Sequence, residues 1–147
     1  MNRTIAITTL GAALAFSGAA GAEEFEIRML NRGDAGAMVF EPDYVKAQPG
    51  DTIRFVAADK GHNAETIKGM IPDGVEPFKG DLNHDITVTL TSEGVYGIKC
   101  APHYAMGMVA LIEVGAPVNL DEARAVKQPG KAKSVFAELF GQVVAAR

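Results

Sequence analysis

Apolar and charged residues alternate where the chain body begins, with Phe25, Ile27 and Met29 separated by Glu26 and Arg28. A period of two marks a half-buried strand. Met38 to Val45 and Asp51 to Ala57 predict two more strands, parted by Gln48-Pro49-Gly50, where Pro presets φ and Gly permits a positive one. From Lys60 to Asp81 the period is lost, and Gly61, Gly69, Pro72, Gly74, Pro77 and Gly80 punctuate what reads as a long structured loop. Ile86, Val88 and Leu90 then alternate with Thr87, Thr89 and Thr91. After the turn Ser92-Glu93-Gly94, the runs Val95 to Cys100 and Met108 to Val114 complete a β-rich body, expected to be an antiparallel sandwich.

Beyond Pro117 the pattern changes period. Asn119 stands as N-cap candidate for a short helix from Leu120 to about Val126, and Pro129-Gly130 ends it. Val135, Leu139 and Val143, with Phe136, Phe140 and Val144 beside them, recur every four residues. That stripe predicts a second amphipathic helix docked on the sandwich, the two helices spanning about 120–146.

The first 22 residues fit neither pattern. Arg3 precedes an apolar run from Ile5 to Phe16, and small residues follow to Ala20-Gly21-Ala22. This predicts a signal peptide over residues 1–22 cleaved before Glu23, and a single domain over 23–147 exported to the periplasm. The apolar run is shorter than the roughly 18 residues of a membrane span, so no membrane partner is expected. The formal net charge of −4 and the absence of any Lys/Arg run also argue against nucleic acid.

Export gives weight to the single cysteine. One Cys excludes an intramolecular disulfide, a CxxC pair and a cysteine-only metal site, and in an oxidising compartment a lone thiol is usually buried, bridged to another chain or bound to metal. Cys100-Ala101-Pro102-His103 is followed by Tyr104-Ala105-Met106-Gly107-Met108, a C-x2-H-x4-M segment between two predicted strands. Thiolate and thioether are soft donors that favour Cu(I), imidazole accepts either oxidation state of copper, and zinc seldom takes Met. His62, in Gly61-His62-Asn63 just after a strand, supplies a second imidazole, and either Met108 or Met106 the thioether. Singly, each of these except Cys100 reads more simply as a loop or core residue; their joint spacing points to one copper ion cycling between Cu(I) and Cu(II). His84 has no soft neighbour and reads as a solvated turn histidine, its role otherwise open.

Gly61-His62-Asn63, the Cys100 to Met108 segment and the helical tail together resemble the pseudoazurins, blue copper proteins of the cupredoxin family, over essentially all of residues 23–147. Plastocyanin-like proteins share the spacing without the tail; amicyanin-like and azurin-like proteins space their ligands differently. The resemblance implies an all-β, eight-stranded Greek-key sandwich with two C-terminal helices. It implies a type 1 copper held by His62, Cys100, His103 and Met108, with Asn63 offering its backbone N–H to the Cys100 sulfur and Met38 packing near the His103 ring. It also implies a basic docking face of Arg32, Lys60, Lys68, Lys79 and Lys99 around an apolar patch of Ala101, Pro102 and Met106. Lys99 must point away from Cys100 along a strand.

The corresponding function is a monomeric electron shuttle. No general base, nucleophile or open ligand position is visible, so no enzymatic activity is expected. The resemblance implies a nitrite reductase of denitrification as acceptor, copper- or haem-containing; a cytochrome is a candidate donor, which the sequence does not specify. A periplasmic copper storage or delivery protein is the alternative, and it would favour exposed Met- and His-rich motifs that this chain lacks.

Overall fold

The computed structural model describes residues 21–145. The leader expected over 1–22 therefore lies, apart from Gly21 and Ala22, outside the described residues. Eight strands follow: β1 (Glu24–Gly33), β2 (Gly36–Glu41), β3 (Tyr44–Ala47), β4 (Asp51–Val56), β5 (Glu65–Thr66), β6 (Ile86–Leu90), β7 (Gly94–Lys99) and β8 (Val109–Val114). A 3-10 turn, Ala101–Met106, joins β7 to β8, and the helices α1 (Leu120–Ala125) and α2 (Ala132–Ala145) close the chain.

The strands form two four-stranded sheets, ordered β2-β1-β4-β6 and β3-β8-β7-β5. This is the expected eight-stranded sandwich, with three differences of detail. The sheets are mixed, because β1 pairs with β4 and β3 with β8 in parallel. Residue alternation reports which face a side chain takes and is blind to strand direction, so the expectation of an antiparallel body missed both pairs. The single strand expected from Met38 to Val45 is two strands in different sheets. Pro42 lies between them, and a residue without an N–H cannot continue a ladder. The long loop from Lys60 to Asp81 contains the short β5, hydrogen-bonded to the end of β7.

Two apolar clusters result. The first gathers Ile27, Phe40, Ile53, Phe55, Tyr96, Ile98, Ala110 and Ile112 from both sheets, with Cys100 and Met108 at one end. The second lies under the helices and joins Val95, Val109 and Leu111 to Leu120, Ala123, Phe136, Leu139 and Val143. Strand periodicity accounts for the division: Tyr96, Ile98 and Cys100 share one face of the β7 line, and Val95 and Lys99 take the other.

The free edge of β7 is completed piecemeal. β5 reaches only Ile98 and Lys99. Gly97 exchanges backbone bonds with Met70 and Ile67, at 2.7 and 2.9 Å. Val95 donates its N–H to Asn119 Oδ1 (2.7 Å) and accepts from Asn119 Nδ2 (2.9 Å). Asn119 does occupy the N-cap position of α1, but its amide serves as a strand surrogate and makes no cap bond to the helix.

Candidate metal centre

The β7–β8 hairpin and the loop after β4 converge at one end of the sandwich. Cys100 ends the β7 line, and the 3-10 turn brings His103 back over it: Cys100 O accepts from His103 N–H (3.2 Å), and His103 O accepts from Met108 N–H (3.2 Å). Cys100 N–H in turn bonds Met108 O at 3.0 Å, so the hairpin is closed at its mouth. Gly107, at φ +88°, provides the left-handed exit that returns the chain to β8. His62 arrives from the other side, held because Asn83 Oδ1 accepts from Gly61 N–H (2.6 Å) and Asn83 N–H donates to His62 O (2.9 Å).

Three donor atoms meet there. The Nδ1 atoms of His62 and His103 are 3.1 Å apart, and Cys100 Sγ lies 3.7 and 3.5 Å from them. A point equidistant from all three is about 2 Å from each, close to bonds of about 2.0–2.3 Å from imidazole nitrogen and thiolate sulfur to a transition metal. His62 Nε2 faces Asn31 Oδ1 at 2.8 Å. That oxygen can only accept, so Nε2 carries the ring proton and Nδ1 keeps its lone pair for the cluster. His62, Cys100 and Met108 are fully buried, and His103 is partly exposed.

Electrostatics favour the neutral forms of Cys100 and His62 in the absence of a cation. Burial pushes the Cys100 thiol up, while the backbone N–H groups of Asn63 and His103 draw it down and the Glu65 charge opposes them. Burial, and then the charge on His103, hold the His62 imidazole below its usual range against the pull of Asp59. A bound metal ion reverses this balance, since its positive charge favours the thiolate and needs a neutral imidazole. Two nitrogens and one sulfur, with a buried thioether in the same hairpin, fit copper better than zinc or a hard cation.

The surroundings expected from the sequence are distributed as follows. Asn63 presents its backbone to the Cys100 sulfur, and its side chain accepts from Ala101 N–H (2.8 Å) and donates to Glu65 and to Gly80 O. Met38 is half-buried against the cluster that contains Cys100 and Met108, and it lines a cavity of about 230 Å³ with Met106 and Gly107. It has a left-handed φ of +53°, and the β1–β2 ladder skips it and Asn31, the residue that binds His62. Arg32, Lys60, Lys68 and Lys79 are exposed, as are Ala101, Pro102 and Met106. Lys99 points away from Cys100 but is only 26% exposed, paired with Glu65 at 3.4 Å and resting 5.0 Å from the Tyr104 ring centre. His84 is exposed, its Nδ1 bonded within its own turn to Leu82 O at 2.9 Å. Sequence reasoning did not find Asn31 or Glu65: both are ordinary polar strand residues until the fold brings them to His62 and Lys99.

Comparison with known proteins agrees with this chemistry. Residues 27–115 match the model for copper binding proteins of the plastocyanin/azurin family. A pseudoazurin of Paracoccus pantotrophus is 53% identical over 133 residues, covering 90% of this chain and 92% of that one. The chain belongs to the pseudoazurin family. The solved pseudoazurins of Sinorhizobium meliloti and Methylobacterium extorquens superpose with TM-scores of 0.80 and 0.79, each at 48% identity. They cover 82% of this chain, and 96% and 98% of their own length. Copper is thus the cofactor, the fold is that of the cupredoxins, and the chain is a blue copper electron-transfer protein.

Proposed function

We propose that His62, Cys100, His103 and Met108 hold one copper ion, and that the chain carries single electrons in the periplasm to a nitrite reductase, copper- or haem-containing. The observation that carries this reading is the convergence of two imidazole nitrogens and one thiol sulfur at a spacing that suits a single ion. Copper supplies the one-electron chemistry by cycling between Cu(I) and Cu(II).

The residues supply a fixed cradle. Cys100 and Met108 belong to the sandwich core, and His62 is held from behind by Asn31, so three of the four side chains have little freedom to rearrange as the charge changes. Low rearrangement suits a carrier. His103 is the member of the set that is partly exposed, among exposed Ala101, Pro102 and Met106, and its ring edge is where electrons enter and leave. Among the described residues, the carboxylates whose charge reaches the set, Asp59 and Glu65, are engaged by Asn31 N–H and by Lys99, and the protein works as a carrier and not as an enzyme. It acts as a monomer, and a cytochrome serves as donor.

Arg32, Lys60, Lys68 and Lys79 have no carboxylate at ion-pair distance among the described residues, which leaves their charge for an acidic partner. Lys99 contributes less to such a face, since Glu65 neutralises it. Residues 1–22 form a leader removed in export. Glu23 N lies 2.8 Å from Asp51 Oδ1, so cleavage there places the new α-amino group against a carboxylate. Oxidation of the reduced protein by purified copper and haem nitrite reductases, followed over a range of ionic strength, tests the partner. Fast oxidation by one of them that slows with added salt supports the reading; oxidation by neither overturns it.

A further inference from the structure

We propose that the bridge between α1 and α2, residues 126–131, is a positioning device for the metal-binding loop, acting on it through Gln128 and Gly130. The inference rests on the copper reading above and concerns how the loop that carries His103 is kept in place. That loop needs an outside support. Its own hydrogen bonds close its two ends, through Cys100, His103 and Met108, and return Tyr104 O to Gly107 N–H at 3.0 Å, but leave the Tyr104 hydroxyl and Ala105 O, at the crest, to partners outside the loop.

Both crest residues are held by the bridge. The Tyr104 hydroxyl donates to Gln128 Oε1. Ala105 O accepts from Lys131 N–H at 2.9 Å. Gln128 Nε2 also faces Met70 Sδ at 3.0 Å, and Met70 lies over Gly97 in β7, where a Cβ would come within 2.6 Å of its side chain. One glutamine therefore ties the residue after His103 to the strand that delivers Cys100.

The backbone approach is as close as the residues permit. Gly130, at φ +51°, faces Ala105 so closely that a Cβ would stand 2.4 Å from its carbonyl oxygen. From the loop side, a Cβ on Gly107 would meet Lys131 Cγ at 3.1 Å and Val135 Cγ2 at 3.2 Å. Glycine on both surfaces and a hydrogen bond between them describe a fitted contact, beyond what covering an apolar face requires. His103 lies between two held residues, Cys100 and Tyr104, so its backbone is fixed on both sides. The helical tail thus has a task beyond stability: it makes the one partly exposed ligand, His103, as rigid as the three buried ones.

Tyr104→Phe, Gln128→Ala and their combination test this, with Gly130→Ala as a harsher third variant. Tyr104→Phe keeps the ring under Lys99 and removes only the hydroxyl, so it preserves the fold even where Gly130→Ala does not. In the copper-loaded protein, each of the first two weakens copper affinity by about tenfold in chelator competition, moves the midpoint potential and shifts the visible band. The double variant does no more than the worse single one, because one contact carries both effects. In the metal-free protein, amide exchange at Ala105, Met106 and Lys131 accelerates. Variants with a lower melting temperature but wild-type affinity, potential and exchange overturn the proposal and leave the bridge merely structural. If the wild type itself takes up no copper, the copper reading fails separately, and the metal-free exchange still decides whether the bridge holds the loop.

Discussion

In β4, burial alternates strictly from Asp51 to Val56, whereas all six residues of β8 are buried. The two strands occupy sheets of different exposure. The sheet β2-β1-β4-β6 has one face on the core and one in water, and Thr52 and Thr89 face each other on its wet side at 3.1 Å. The sheet β3-β8-β7-β5 is covered on both faces, by the opposite sheet and by α1 and α2. The hairpin that carries Cys100, His103 and Met108 belongs to the doubly covered sheet. A ligand loop rooted in a sheet packed on both sides inherits its rigidity, while the half-wet sheet supplies Asn31 and the approach to His62.

Substitutions that strike one sheet and spare the other sharpen this contrast. The largest effect is expected under the helices: Phe136→Ala empties a fully buried site against β8 and costs about 3–5 kcal/mol in urea unfolding. A cost below 1 kcal/mol would mean that the helices cover the sheet only loosely. Asn119→Ala comes next. It strips Val95 N–H and C=O of their partner at the edge of β7, for about 1–3 kcal/mol, and hydrogen exchange at Val95 rises. Unchanged protection at Val95 would show that another group completes that edge. The smallest effect belongs to the wet face, where Thr89→Ala removes one exposed hydroxyl contact and changes stability by about 0.5 kcal/mol or less. A larger loss there would contradict the view that this face is simply solvated.

The same contrast explains what could be read from the sequence. In β6 the alternation of Ile86, Val88 and Leu90 with threonines is visible because one face is wet. The continuous apolar runs of β7 and β8 were legible as strands, and the stripe on α2 indicated what would cover them. Strand direction and sheet membership were not legible: the parallel pairs β1–β4 and β3–β8 and the break at Pro42 depend on how the chain winds, which alternation does not encode. At the centre, three of the four proposed ligands lie within nine residues of one another, so spacing alone drew attention to them. His62 was reachable because it is one of only three histidines. Asn31 lies 31 positions from His62, and Gln128 lies 24 from Tyr104. Such polar partners carry no local pattern and emerge only once the fold is known. Pro129-Gly130 was readable as a turn, but its fit against Ala105 was not.

The central claim is that Cys100 and the two imidazoles around it form one copper site of the blue type. The visible absorption and electron paramagnetic resonance spectra of the copper-loaded protein, recorded beside the Cys100→Ser variant, test it most directly. The account predicts an intense thiolate-to-copper charge-transfer band and narrow copper hyperfine splitting, both lost in the variant. A weakly coloured protein with ordinary tetragonal copper signals, or a band that survives the loss of Cys100, would contradict it.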